Sequence, residues 1–196
     1  MGDSVTINYN VGDPTTFTNS VYTRNGSPQI LTLGEGWTVI DSNAFSGFQI
    51  ESLTLPESMV IISSSAFKDS SLNEIIFTGN SSLTTIGQDA FKNAYFLSNI
   101  VLPSGVTAID SGTFNGVRDL TSIIIPSAVT SIGEYAFANS LLLGISFEDN
   151  SSLNTISNYA FYKNVGLTTI HIPSNTTTIG NYTFSESTLQ TITFDN

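Results

Sequence analysis

The sequence predicts a repeat solenoid, α/β-type in its topology and mostly β in content: a coil of stacked parallel strands, not a compact globule. Three observations carry that prediction. A marker phenylalanine recurs at near-constant intervals, at Phe45, Phe67, Phe91, Phe114, Phe137, Phe161 and Phe184. Isoleucine stands five positions before every marker, from Ile40 to Ile179. Between markers runs a β-branched, alternating phrase, Leu-x-x-Ile-x-Leu in outline, that returns once in each interval. A period of this size, about 23 residues, means stacked supersecondary units, each held by its neighbours.

The elements follow in chain order. Residues 1–27 carry no copy of the repeat and read as an N-terminal cap, in which "VTINYN" alternates as a strand covering the first repeat. Val5, Ile7, Tyr9, Phe17, Val21 and Tyr22 are its candidate buried side chains. Residues 28–196 form an array of about seven full repeats plus a final strand. The strand phrases run from a weak "PQILTL" through "IESLTL", "LNEIIF", "LSNIVL", "LTSIII", "LLGISF" and "LTTIHI" to "LQTITF". Alternation across a strand turns the first, fourth and sixth positions inward once the bend at the start is allowed for. Proline after the strand (Pro56, Pro103, Pro126, Pro173) is tolerated because the ladder ends there.

The phrase typified by "IGEYAF" is too short for an α-helix and predicts a turn or one turn of 3₁₀. Its marker phenylalanine fills the core. The small residue before it, Ala in five copies and Thr113 or Thr183 in two, lets this segment approach the sheet. Two loop designs recur every three repeats, the tighter Pro-Ser turn filling the copies between the longer loops. "SSLTTIGQDAF" at 81 and "SSLNTISNYAF" at 151 follow longer loops and lie three repeats apart, as duplication of a three-repeat block would leave them.

These phrases together resemble the BspA-like leucine-rich repeats, written L-x-x-I-x-L-P-x-x-[VL]-x-x-I-G-x-x-A-F, over residues 28 to 196. The resemblance implies a right-handed leucine-rich repeat solenoid with a concave parallel sheet of about eight short strands. Its convex side would be turns and 3₁₀ segments. It also implies a bacterial or protist surface protein, since proteins similar to this attach to host matrix proteins and to other microbial cells.

Composition narrows the function. Sixteen acidic against five basic residues give a net charge of −11, which repels phosphate backbones and makes nucleic acid and anionic membrane poor partners. There is no cysteine, hence no disulfide and no thiolate chemistry. No apolar run is long enough for direct membrane insertion, and "MGDSVTINYN" lacks the basic start and apolar core of a signal peptide.

Repeats specify the building unit, and the variable outward positions specify the surface. One outward row on the sheet reads Thr32, Thr54, Ile76, Val101, Ile124, Ser146, His171, Thr193. The row before it includes Glu74, Asn99 and Ser122. A central apolar strip edged by small polar groups suits a protein or peptide contact, although β-branched residues also simply favour exposed strands. The candidate binding residues are therefore Glu74, Ile76, Asn99, Val101, Ser122, Ile124, Ser146 and His171.

His171 is the single histidine. Without cysteine or carboxylates at ligand spacing it makes no zinc site, and its expected ladder neighbours, Ser146 and Thr193, supply no acid to orient a Ser–His pair. "FEDN" at 147–150 lacks calcium-loop spacing, and "GEGW" at 34–37 lacks the helix and lysine of a phosphate loop. Tyr135, Tyr159 and Tyr182 hold equivalent places on the convex side. No catalytic residue, metal or cofactor is expected.

The reading is a protein-binding module, adhesin-like and displayed at the cell surface or secreted. Its partner would be an extracellular matrix or host-cell protein. The alternatives are a structural spacer, self-association through the C-terminal strand, or an intracellular scaffold.

Overall fold

The computed structural model describes residues 3–7 (backbone), 15–18 and 29–195. Each repeat contributes two parallel strands, one of four to six residues (cut to two at Asn99–Ile100) and one of two residues. The long strands are Gln29–Leu33, Ile50–Leu55, Glu74–Phe77, Asn99–Ile100, Ser122–Ile125, Gly144–Phe147, Thr169–Ile172 and Thr191–Phe194. Their register is simple: Thr54 faces Ile76, Ile124 faces Ser146, and His171 faces Thr193. Asp3–Ile7 extends this face by pairing with Gln29–Leu33 over five residues.

The inward positions of the strand phrase are buried as the alternation demands. Ile50, Leu53 and Leu55 are wholly buried, and so, nearly, are Leu97, Ile100 and Leu102. The end of the chain differs: Ile192 and Phe194 of the strand Thr191–Phe194 are 40% and 60% exposed.

The second row of strands was hidden in the sequence. The isoleucine before each marker closes a two-residue strand, such as Ile61–Ile62, Ala108–Ile109 or Ser131–Ile132, and these stack into parallel ladders of their own. Thr16–Phe17 pairs with Val39–Ile40 at the head of that row. The proposed boundary between residues 27 and 28 lies outside the described residues, as do Tyr9, Val21, Tyr22 and the side chains of Val5 and Ile7.

Inside, the phenylalanines form one continuous stack. Phe17, Phe45, Phe67, Phe91, Phe114, Phe137, Phe161 and Phe184 have neighbouring centroids 4.8–5.5 Å apart and planes within 14°. All but Phe184 are fully buried; Phe184 packs against the core from a partly exposed position. Offset stacking of this kind adds to the area each ring buries. The spacing follows from the pitch, since one ring per repeat must match the strand separation of about 4.8 Å.

The convex phrase forms tandem β-turns, and the described residues contain neither an α-helix nor a 3₁₀-helix. The reason lies in where the amides go. Ala66, Lys68 and Ser70 donate three residues back, to the carbonyls of Ser63, Ser65 and Phe67. The intervening amides of Ser65, Phe67 and Asp69 donate to Gln88, Ala90 and Lys92 of the next repeat at 2.8–2.9 Å. A 3₁₀ turn would spend every amide internally and leave none to join the repeats. The alternation requires left-handed backbone two residues before and after each marker, and φ is +58° at both Ser65 and Asp69. The same two places recur in every repeat, at Gly112 and Gly116 but also at Tyr135, Asn139, Tyr159, Lys163, Tyr182 and Glu186.

Candidate functional site

Because the strand phrase buries its fourth and sixth residues, the fifth must face solvent. The structure places the apolar members of that row outward: Ile76 is 41% exposed, Ile124 61% and Val101 75%. Ser146 and His171 continue the row, also exposed. On the adjoining row Asn99 donates its Nδ2 proton to Glu74 Oε1 at 3.1 Å, and Ser122 is exposed one repeat on.

These eight residues do not form one pocket. Glu74, Ile76, Asn99 and Val101 share a groove of about 510 Å³ that Phe77, Asn80 and Pro103 also line. Ser146 and His171 share another, of about 680 Å³, with Glu148, Asp149, Pro173 and Asp195. Ser122 and Ile124 line neither groove. Both grooves sit beside the longer loops. From the last strand position to the buried isoleucine those loops run from Phe77 to Ile86 and from Phe147 to Ile156, two residues longer than the turn from Leu102 to Ile109. The loop length was visible in the sequence; that it opens a groove was not.

His171 is better supported than the sequence indicated. The expectation that no acid stands near it is corrected by Asp195. The side chain of His171 contacts Thr193 Oγ1 through Nδ1 at 2.9 Å and Asp195 Oδ1 through Nε2. The other carboxylate oxygen accepts the Ser174 amide at 3.2 Å. The His171 hydrogen bond, aided by that amide, holds the Asp195 carboxyl below its ordinary value. Asp195 went unnoticed because it lies one residue beyond the repeating phrase. Its place is structural: Glu148, one residue after its own strand, likewise accepts the amide of Ser127 at 2.9 Å. Each carboxylate caps the Pro-Ser turn of the preceding repeat. With both ring nitrogens engaged, His171 has none left to take a proton from Ser146, so the arrangement does not work as a nucleophile–base pair.

Other surfaces carry different chemistry. Tyr135, Tyr159 and Tyr182 stack face to face at 4.9 and 5.1 Å, with Tyr162 edge-on to the first two. Tyr162 donates to Glu186 at 2.6 Å, and Lys163 pairs with the same carboxylate at 3.5 Å. The Tyr162 hydrogen bond is the main reason that the Glu186 carboxyl is lowered from its ordinary value, while Lys163's own interactions with Tyr162 first and Glu186 next hold its ammonium above its ordinary value. On the edge leading into the long strands, Tyr95, Phe96, Leu141, Leu143 and Val165 are exposed. Tyr95, Leu141 and Val165 each stand four residues after a marker phenylalanine, but sequence reasoning missed them because the residue type there is not kept, Arg118 holding the same place. Among the described residues no group of three or more His, Asp or Glu side chains is placed to hold a metal ion.

The geometry agrees with what the chain is similar to. Six copies of the BspA type leucine rich repeat region match, over residues 15–144 and 84–196. A leucine rich cell surface protein from Faecalibacterium prausnitzii A2-165 has a solved structure that superposes with a TM-score of 0.70 at 31% identity. The match covers 81% of this chain and 43% of that one. A leucine-rich repeat protein from Bacteroides ovatus ATCC 8483 shares the fold, with a TM-score of 0.61 at 20% identity over 86% of this chain and 55% of that one. The chain thus spans about half the length of these structures. No curated protein sequence matches it. Repeat phrase, parallel double-strand coil and sequence match coincide, and the chain belongs to the BspA-type leucine-rich repeat family.

Proposed function

We propose that the chain is a protein-binding module, displayed on the cell surface or released from it, that holds its partner on the outer face of the long-strand sheet. The observation that carries this is the run of Ile76, Val101 and Ile124, three exposed aliphatic side chains at successive repeats, of which Ile76 and Ile124 lie in ladder-paired strands and Val101 directly follows the strand Asn99–Ile100. An apolar strip on a preorganised surface, bordered by Glu74, Asn99, Ser122, Ser146 and His171, has the anatomy of an interface core and rim. The likeness to a cell surface protein supports the location, and matrix or host-cell proteins are the partner class we propose. The acidic surface and the lack of convergent acid, base or metal groups among the described residues favour binding over catalysis.

The test is binding of the purified chain to immobilised matrix and plasma proteins, beside a Val101→Glu, Ile124→Glu variant checked for intact folding by circular dichroism. The expected result is saturable binding that the variant loses by about tenfold or more. Binding that the variant keeps sinks this reading.

A second reading rests on the strand Thr191–Phe194, where Ile192 and Phe194 stand exposed. Self-association there would appear as concentration-dependent sedimentation abolished by Ile192→Lys.

A further inference from the structure

The two grooves beside the long loops are copies of one design. Ile76 corresponds to Ser146, Asn80 to Asn150, Val101 to His171 and Pro103 to Pro173, each pair three repeats apart. Duplication accounts for two cavities but not for the difference in their linings. The first presents the exposed aliphatic side chains of Ile76 and Val101, with one carboxylate, Glu74, tied to Asn99. The second replaces both with Ser146 and His171 and adds Glu148, Asp149 and Asp195.

Charge is divided in the same sense. The described cations, Lys68, Lys92, Arg118 and Lys163, belong to the turn segments and the edge that follows them, and none lines either groove. Lys92 and Lys163 are already paired, with Asp89 and Glu186. A basic group approaching the second groove therefore meets Glu148 and Asp149 with no lysine or arginine of the described residues beside them, while Asp195 is already engaged by His171.

We propose that the long-strand face binds an extended, basic polypeptide segment laid across the strands. One of its apolar side chains would sit in the groove of Ile76 and Val101, and a lysine or arginine in the groove of Glu148 and Asp149. This rests on the protein-binding reading and adds a register to it. Three repeat steps of about 4.8 Å place the grooves about 14 Å apart, a span that an extended chain covers in about four residues. The parity matters as much as the length. Residues an even number apart project to the same side of an extended chain, so both side chains reach the sheet together; odd spacings turn one of them away.

The probes are labelled peptides of about twelve residues in a Ser/Thr background, each with one leucine and one arginine at separations from two to seven. Binding to the intact chain is followed by fluorescence anisotropy at low and high salt. The peptide with a separation of four should bind about tenfold more tightly than those at three or seven, and should weaken as salt rises. Val101→Glu should abolish the preference for leucine over serine, and Asp149→Lys the preference for arginine over serine. Affinity indifferent to spacing, preferences that survive both variants, or no binding by any peptide would each overturn the proposal. Its failure is separable from that of the broader reading. Matrix-protein binding lost in the Val101→Glu, Ile124→Glu variant, beside indifferent peptides, would leave a binding face without this register.

Discussion

At the scale of single residues, the repeat is exacting where backbones meet and permissive elsewhere. Gly133 follows the buried Ile132, and a β-carbon there would lie 2.6 Å from Ser111 N and 2.7 Å from Asp110 C. Backbone atoms cannot step aside, so Gly133→Ala should destabilise the chain by about 1–3 kcal/mol, read by urea unfolding. Ser70 is the opposite case. Its hydroxyl is buried and has no hydrogen-bond partner among the described residues, while its counterpart Ser140 donates to Phe137 O at 2.7 Å. Ser70→Ala should therefore stabilise by about 0.5–1 kcal/mol in the same assay. Neither effect is legible in the sequence. The "IG" phrase showed that glycine recurs but not what it approaches, and nothing separates Ser70 from Ser140 in a one-dimensional pattern. The apolar positions were legible because alternation and period fix them: Phe91, Ile86 and Leu97 all lie where the phrase put them.

At the scale of the element, a turn matters through the two neighbours it joins. Phe114 is sandwiched between Phe91 and Phe137, whereas Phe184 has a ring stacked only on the Phe161 side among the described residues. Phe114→Ala should cost about 3–5 kcal/mol and Phe184→Ala about half as much, a contrast that differential melting of the two variants would reveal. The last strand has a pH dependence of its own. Asp195, held below its ordinary value by His171, supports folding fully above the unfolded carboxyl value of 3.8, and that support is lost as pH falls through the lower folded value. Hydrogen exchange at Thr191–Phe194 should thus lose protection in acid below about pH 4, and Asp195→Asn should remove the pH step. The sequence concealed this clamp because a strand phrase announces its own residues and not the side chain two places beyond His171's partner, Thr193. It concealed the tandem turns for a related reason. Left-handed backbone at Tyr135 or Lys163 is enforced by hydrogen bonds to the next repeat, not by residue preference.

For the whole molecule, the fold was readable from periodicity and the site only in outline. The exposed row followed from alternation, yet its division between an aliphatic-lined groove and a more acidic one depends on loops whose added length was visible in the sequence but whose opening of a groove was not. The direction of the hydrogen bonds has a mechanical consequence. Ladder bonds of both strand rows, and the alternate amides of the turns, all run from one repeat to the next along the long axis. A pull between the two ends therefore loads successive repeats in series and opens their bonds by peeling, not by shearing many at once. Each repeat that yields would lengthen the chain by about 75 Å, from one coil step to about 23 extended residues. A module of this design placed between a cell and its target would behave as a shock absorber, surrendering length a step at a time while the remaining turns keep their grip.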